Sequence, residues 1–280
     1  FLKQKGLYYS TAKTFETYKK RNGFTCFNIV SDNEGFVWVN TTIGLICFDK
    51  KYEIRSFNFS DGGNIIFDNK DQSIFCRSFS NVYVKSNKFN LENYKELSIS
   101  NPNIPKDVTK IVKNGKLIWF GSSSNGLYKY QNNQFFSLNS NGLFKEKNIK
   151  DIIVNENGEL VIGTNNGRVY IAKWKNNKLN IQHVYQPNKE IYGTSISFIE
   201  QSKGNYYIGT NKGINVIRNH KFVKLINKSE GINDIQLNDC VKDKNGDLWV
   251  ATNNGLIKLN ANEFLKKESN SKNLIHVNSI

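Results

Sequence analysis

Apolar and polar residues alternate in short runs along most of the chain, and no stretch sustains the 3.6-residue period of a helix. Alternation with period two predicts half-buried β-strands. The runs are punctuated by turn signals, SDNEG at Ser31–Gly35, NENG at Asn155–Gly158 and DKNG at Asp243–Gly246. Asn or Asp followed by Gly between alternating segments is the strongest local hairpin signal. The clearest unit is Asn245–Leu259, NGDLWVATNNGLIKL, which reads as strand, turn and strand. Six copies of its skeleton, this one included, lie along the chain. A large apolar slot holds Trp38, Phe75, Trp119, Val161, Tyr207 and Trp249. Three residues on, a hydroxyl follows at Thr41, Ser78, Ser122, Thr164, Thr210 and Thr252. The turn position then holds Gly44, Asn81, Gly126, Gly167, Gly213 or Gly255. A period of roughly 40–50 residues with several strands per unit predicts an all-β β-propeller of four-stranded antiparallel blades.

The residue types fit one unit of such a fold. A blade cannot bury its apolar face alone, so blades stack and the Trp slot lies between them. The hydroxyl suits bonds to the turn backbone. Glycine supplies positive φ at the reversal, and Asn81 is the best substitute for it. With strands a to d from the axis outward, the first repeat reads Thr25–Val30, Phe36–Val39, Gly44–Phe48 and Tyr52–Phe57. The second is worn: Ile65–Phe67, Ser73–Cys76 and Asn81–Val84. The remaining four begin at Val108, Ile149, Ser195 and Leu237, the last running to Lys267. Upstream, Gly6–Tyr9 reads as a strand c and Thr14–Lys19 as a strand d. Six full repeats plus this pair predict a seventh, composite blade. Residues 1–268 are assigned to the propeller. Residues 269–280 are assigned to a closing strand or to the start of a following domain, since NLIHVNSI (Asn273–Ile280) alternates again.

Composition narrows the picture further. The formal charge is +15 and the pI about 9.5, but the lysines are scattered through turns and no Arg-rich run or nucleic-acid motif occurs. Solvated lysines on strand ends are expected, with no nucleic-acid partner. Cys26, Cys47, Cys76 and Cys240 lack CxxC spacing and sit in apolar strand patterns, so buried single thiols are expected. No apolar run reaches the ~18–20 residues of a membrane span, and the first residues do not read as a signal peptide. A chain that begins at Phe1 and lacks Met is expected to be a segment of a longer protein, or a sequence missing its methionines.

No catalytic set emerges. His183, His220 and His276 are the three histidines, none at triad or metal-ligand spacing from an acid. The acidic residues fall mostly in a–b turns, such as Asp32, Glu34, Glu156 and Asp243. Neither a P-loop nor a dinucleotide fingerprint occurs, and no metal or cofactor is expected. A ligand site belongs at the face shared by the d–a loops and b–c turns. Phe24, Asn103, Phe144, Tyr192, Asn233 and Gln236 are the candidates there, since amides and aromatic rings suit sugar hydroxyls and a stacked ring.

DKNGDLWVATNNGL (Asp243–Leu256) and DNEGFVWVNTTIGL (Asp32–Leu45) resemble the two-component regulator propeller repeat, loosely Asp-x-x-Gly-x-Ile-Trp-Ile-Gly-Thr-x-x-Gly-Leu. The glycine before the Thr is kept at Gly121, Gly163 and Gly209 and replaced at Asn40 and Ala251. The resemblance covers nearly the whole chain. It implies a non-enzymatic, extracytoplasmic or periplasmic sensory propeller of a membrane-anchored sensor histidine kinase. It also implies an oligosaccharide or other small ligand, neighbouring receptor domains, a homodimer in the full-length form and an immunoglobulin-like three-tyrosine domain after the propeller. The alternatives are a structural or interaction propeller of a surface or secretion complex and a lyase of the streptogramin-lyase type, whose repeats share the Gly-x-x-Trp style.

Overall fold

The computed structural model describes residues 107–132, 134–230, 232 and 236–260, together with the segments 7–11, 15–20, 26–31, 36–41, 44–48, 54–57, 65–68, 73–77, 82–85 and 94–96. Before residue 107, side chains are described at Cys26, Ile29, residues 36–39, Thr41 and Phe48.

The strands follow the alternation. β1 (Leu7–Thr11) and β2 (Phe15–Lys20) form the first hairpin. The first repeat gives β3 (Cys26–Ser31), β4 (Val37–Thr41), β5 (Gly44–Phe48) and β6 (Ile54–Phe57). The second gives β7 (Ile65–Asp68), β8 (Ser73–Arg77), β9 (Val82–Lys85) and β10 (Tyr94–Glu96). The third gives β11 (Val108–Asn114), β12 (Leu117–Ser122), β13 (Gly126–Gln131) and β14 (Gln134–Ser137). The fourth gives β15 (Ile149–Val154), β16 (Leu160–Thr164), β17 (Val169–Lys175) and β18 (Lys178–Tyr185). The fifth gives β19 (Ile196–Ser202), β20 (Asn205–Thr210), β21 (Gly213–Arg218) and β22 (Lys221–Ile226). The sixth gives β23 (Leu237–Lys242), β24 (Leu248–Thr252) and β25 (Gly255–Leu259).

Repeats one to five each form one four-stranded sheet in chain order. The sixth sheet runs β1-β2-β25-β24-β23, with β2 antiparallel to β25 from Phe15↔Leu259 to Tyr18↔Leu256. This corrects the expected count of seven blades. The composite blade is the sixth: the N-terminal hairpin supplies its fourth strand and adds a fifth. Among the described residues there is no seventh sheet. Side chains are described along the strands of four sheets, those between Val108 and Leu259. The proposed closing segment 269–280 lies outside the described residues.

Two compact units divide the chain, Phe1–Ser60 with Glu200–Ile280, and Asp61–Ile199. In the first, Cys26, Ile29, Val39 and Phe48 pack with Trp249, whose ring lies 5.5 Å from that of Phe48. In the second, Trp119, Leu127, Phe144, Ile149 and Ile162 share one core, with Trp174 edge-on to Trp119 at 5.4 Å. Trp38, Trp119, Val161, Tyr207 and Trp249 are all 0% exposed, so the repeated slot is the inter-sheet core. Phe75 of that slot is outside the described side chains. The glycine before the hydroxyl has a packing reason. A Cβ on Gly163 would stand 2.7 Å from Ile196 Cγ2 of the next inner strand, where only a bare backbone fits.

The hydroxyl slot binds its turn as its chemistry requires. Thr210 and Thr252 donate to Gly213 and Gly255 carbonyls at 3.0 Å, and Thr164 donates to the Arg168 carbonyl at 2.9 Å. Ser122 instead accepts from Asn125 N at 2.8 Å and donates to Asp107 at 2.7 Å. Gly213 has φ 127°, and a Cβ there would also meet the Ile226 carbonyl oxygen. Cys26 and Cys240 are buried thiols outside any disulfide, and burial pushes the Cys26 thiol up to about 12.

Candidate functional site

The d–a loops and b–c turns of the second unit carry a connected polar network. It begins with the loop that leaves β14. Asn139 Oδ1 accepts from Leu127 N at 2.9 Å, and its Nδ2 donates to the Glu146 carbonyl at 2.8 Å. Leu143 and Phe144 fold back, their N–H groups donating to Leu138 O. Phe144 enters the core and meets Tyr170 edge-on at 5.4 Å. These anchors fix Glu146 over the β16–β17 turn.

There the Glu146 carboxylate accepts from Tyr170 Oη at 2.6 Å, Arg168 Nη1 at 3.1 Å and Asn166 Nδ2 at 3.2 Å. Arg168 Nε reaches Gln186 Oε1 at 3.3 Å, and Gln186 N donates to Glu190 at 2.8 Å. The loop 187–195 closes over Gly167, whose Cβ would stand 3.0 Å from Pro187 and 3.1 Å from the Thr194 backbone. Tyr192, on that loop, is 50% exposed. Burial alone would raise the Glu146 carboxyl. The hydrogen bonds from Tyr170, Arg168 and Asn166 and the Arg168 charge outweigh it and hold the group below the usual range. Burial first, then the bond to Glu146, pushes the Tyr170 phenol up to about 12. Near neutral pH the site therefore holds a fixed carboxylate, guanidinium and neutral phenol, suited to hydrogen-bonding hydroxyl groups.

The sequence-derived candidates fare unevenly. Phe24, Asn103 and Asn233 lie outside the described residues. Tyr192 lies on the loop between β18 and β19 and is exposed. Phe144 is 6% exposed, because Leu143–Phe144 serves as the apolar anchor of its loop; it supports Tyr170 from below. Gln236 is exposed and accepts from Asn253 Nδ2, bracing its own repeat's b–c turn. Glu146, Asn166, Arg168, Tyr170 and Gln186 were not among the candidates. One signal was available: Arg168 stands where the best repeat copies have Leu after the turn glycine.

Two carboxylates on inner strands were also missed. Asp151 is 1% exposed and accepts from the backbone N of Ile152 (2.8 Å) and Ile199, with Lys110 Nζ at 3.2 Å. Asp239 is 3% exposed and accepts from Ile29 N at 2.7 Å. Each is the first paired residue after a register shift, at Ile149/Asp151 and Leu237/Asp239. Each joins its inner strand to the next one. Among the described residues no group of three or more His, Cys, Asp or Glu is placed to hold a metal ion.

No family model matches the chain, and no curated protein matches it by sequence. Solved structures do. The extracellular domain of a protein described as a hybrid two component system of B. thetaiotaomicron is 18% identical, with a TM-score of 0.62 over 89% of this chain. The match spans 40% of that domain, so the chain covers about two fifths of its length. A streptogramin B lyase matches at 14% identity and TM-score 0.61, covering 91% of this chain and 97% of the lyase. A gluconolactonase of Xanthomonas campestris matches at 9% identity and TM-score 0.64, covering 88% of each chain. At such identities the likeness is one of fold: the chain is an all-β propeller with four-stranded antiparallel blades.

Proposed function

We propose that the chain is a non-enzymatic sensory propeller, part of the extracytoplasmic region of a membrane-anchored two-component receptor. Its ligand is an oligosaccharide or another small hydroxyl-rich molecule bound at the d–a/b–c loop face. The observation that carries this reading is the Glu146–Arg168–Tyr170–Asn166 cluster. Its ionised carboxylate is held in place by three donors, and the loop that follows β18 carries an exposed tyrosine, a recognition chemistry without a group poised for proton transfer near neutral pH. Likeness to the two component ectodomain supports the sensory context. In this reading the propeller acts with neighbouring receptor domains, in a homodimer, because a rigid recognition module transmits only through contacts that differ between two states.

The likeness to the streptogramin B lyase, over nearly all of both chains, supports a second reading, a propeller lyase. One titration separates them. Purified protein is mixed with a panel of oligosaccharides and followed by calorimetry and product analysis. Saturable binding without product, weakened about tenfold or more by Arg168→Ala through loss of charge-assisted hydrogen bonds, is expected. Product formation, or binding that Arg168→Ala and Tyr192→Ala leave unchanged, would sink the sensory reading at this face.

A further inference from the structure

The β17–β18 hairpin sets several like charges on one face. Lys173 and Lys175 are two apart on β17, so they share a face of the sheet. Register places Lys173 opposite Asn180, Trp174 opposite Leu179 and Lys175 opposite Lys178. Trp174 and Leu179 turn inward, Trp174 against Trp119 and under Lys129 Nζ at 4.8 Å. Lys173, Lys175, Lys178 and Asn180 are therefore left on the outer face, all exposed. The turn between Lys175 and Lys178 is Asn176–Asn177 with φ 54° and 56°, a tight reversal that fixes the two ammonium-bearing residues as cross-strand neighbours. Like charges directly opposite each other are destabilising. Lys173, Lys175, Asn176, Lys178, Asn180 and Gln182 line an open depression of about 650 Å³. The lining holds no carboxylate.

We infer that this outer face of the β17–β18 hairpin binds an acidic polysaccharide, a chain bearing both carboxylate or sulfate groups and hydroxyls. An anion seated between Lys175 and Lys178 converts the repulsive pair into two attractions. Asn180 Nδ2 donates to the hairpin carbonyls of Lys173, Lys175 and Lys178 at 3.4 Å, and Gln182 Nε2 donates to Asn180 O at 3.2 Å. Their amide oxygens remain to accept from hydroxyl donors, which an acidic sugar has on every residue. The lining contains no arginine, the side chain whose planar fork suits phosphate. Its concavity suits a polymer chain better than a flat bilayer. This inference does not depend on the loop-face reading above, since the lining shares no residue with that cluster.

The test is binding of an oligogalacturonide of defined length by the full chain at low and moderate salt. A neutral malto-oligosaccharide of the same length, phosphatidylglycerol vesicles and duplex DNA serve as comparisons. The uronide is expected to bind and to weaken as salt screens the lysines, and the neutral chain is expected not to compete with it for this face. Lys173→Gln/Lys175→Gln/Lys178→Gln should weaken uronide binding about tenfold or more, the sum of three exposed charge contacts. The control Lys116→Gln/Lys203→Gln/Lys244→Gln, which removes equal charge elsewhere, should not. Lys178→Glu should also weaken binding while leaving the melting temperature unchanged or raised, because the pair with Lys175 becomes attractive. No uronide binding, equal weakening by the control triple, or tighter capture of vesicles or DNA through these same lysines would each overturn the assignment.

Discussion

At the scale of single residues, the repeated apolar slot was legible because its pattern recurs in register, whereas each polar link at the site occurs only once or twice. Trp249 is 0% exposed and its indole N–H donates to Asp243 at 3.2 Å. Trp249→Ala leaves a cavity and removes the donor from a buried acceptor. A loss of about 3–5 kcal/mol is expected, read by urea denaturation, and an unchanged midpoint would remove the slot from the core. Asp151 was illegible for the opposite reason. In IKDIIV a polar residue before apolar neighbours reads as ordinary alternation, and nothing local shows that the backbone shift turns it toward the next strand. Asp151→Leu, which removes the acceptor of the buried Ile199 N–H and the carboxylate beside Lys110, is expected to cost about 3–5 kcal/mol. Glu146 adds a pH signature. Its folded-state ionisation lies below the usual range, so its stabilisation is present above the ordinary glutamate value of about 4.3 and is lost as pH falls through the folded value. Glu146→Gln should therefore flatten the loss of melting temperature below about pH 4.3. An acid limb identical to that of the parent protein would refute the role given to its donors.

At the scale of elements, hairpins were legible to within a residue or two because turn chemistry and alternation are local. What pairs with β25 was not. The alternation gives repeat six an outer strand from the residues that follow Leu259 and lets the N-terminal hairpin open another blade. A strand pattern states that a segment has two faces, but it does not name the edge that segment will join when the partner lies at the other end of the sequence. The β2–β25 ladder has the logic of a clasp: it covers an edge that would otherwise template association with other chains. Removing residues 1–20 should lower the melting temperature by about 5–10 °C, at about 2–4 °C per kcal/mol for a chain of this size. It should also produce concentration-dependent association in sedimentation velocity. A truncated chain that melts with the parent and stays monomeric would mean that the ladder contributes nothing to stability.

At the scale of the whole molecule, fold and chemistry answer different questions. Propellers of this kind resemble a sensor ectodomain and two enzymes at once, so the architecture cannot choose between them and the site must. Catalysis of elimination or hydrolysis needs an acid–base pair with tuned proton affinities and access to the substrate. Asp151 and Asp239 occupy the inner strands, where such a pair would be expected, but their carboxylates are buried and accept backbone N–H groups of the adjoining strand. Abstracting a proton with either would break a link between sheets. Glu146 is held ionised by three donors and Tyr170 is held neutral up to about 12, so neither exchanges a proton readily near pH 7. The expected outcome is binding without turnover. Incubating the chain with polysaccharide fragments, sugar lactones and cyclic lactone antibiotics, followed by mass spectrometry, should return every substrate intact. Cleavage of any one of them, abolished by Asp151→Asn in a variant that still melts cooperatively, would make the inner-strand carboxylate a catalytic group and replace the sensory reading with an enzymatic one.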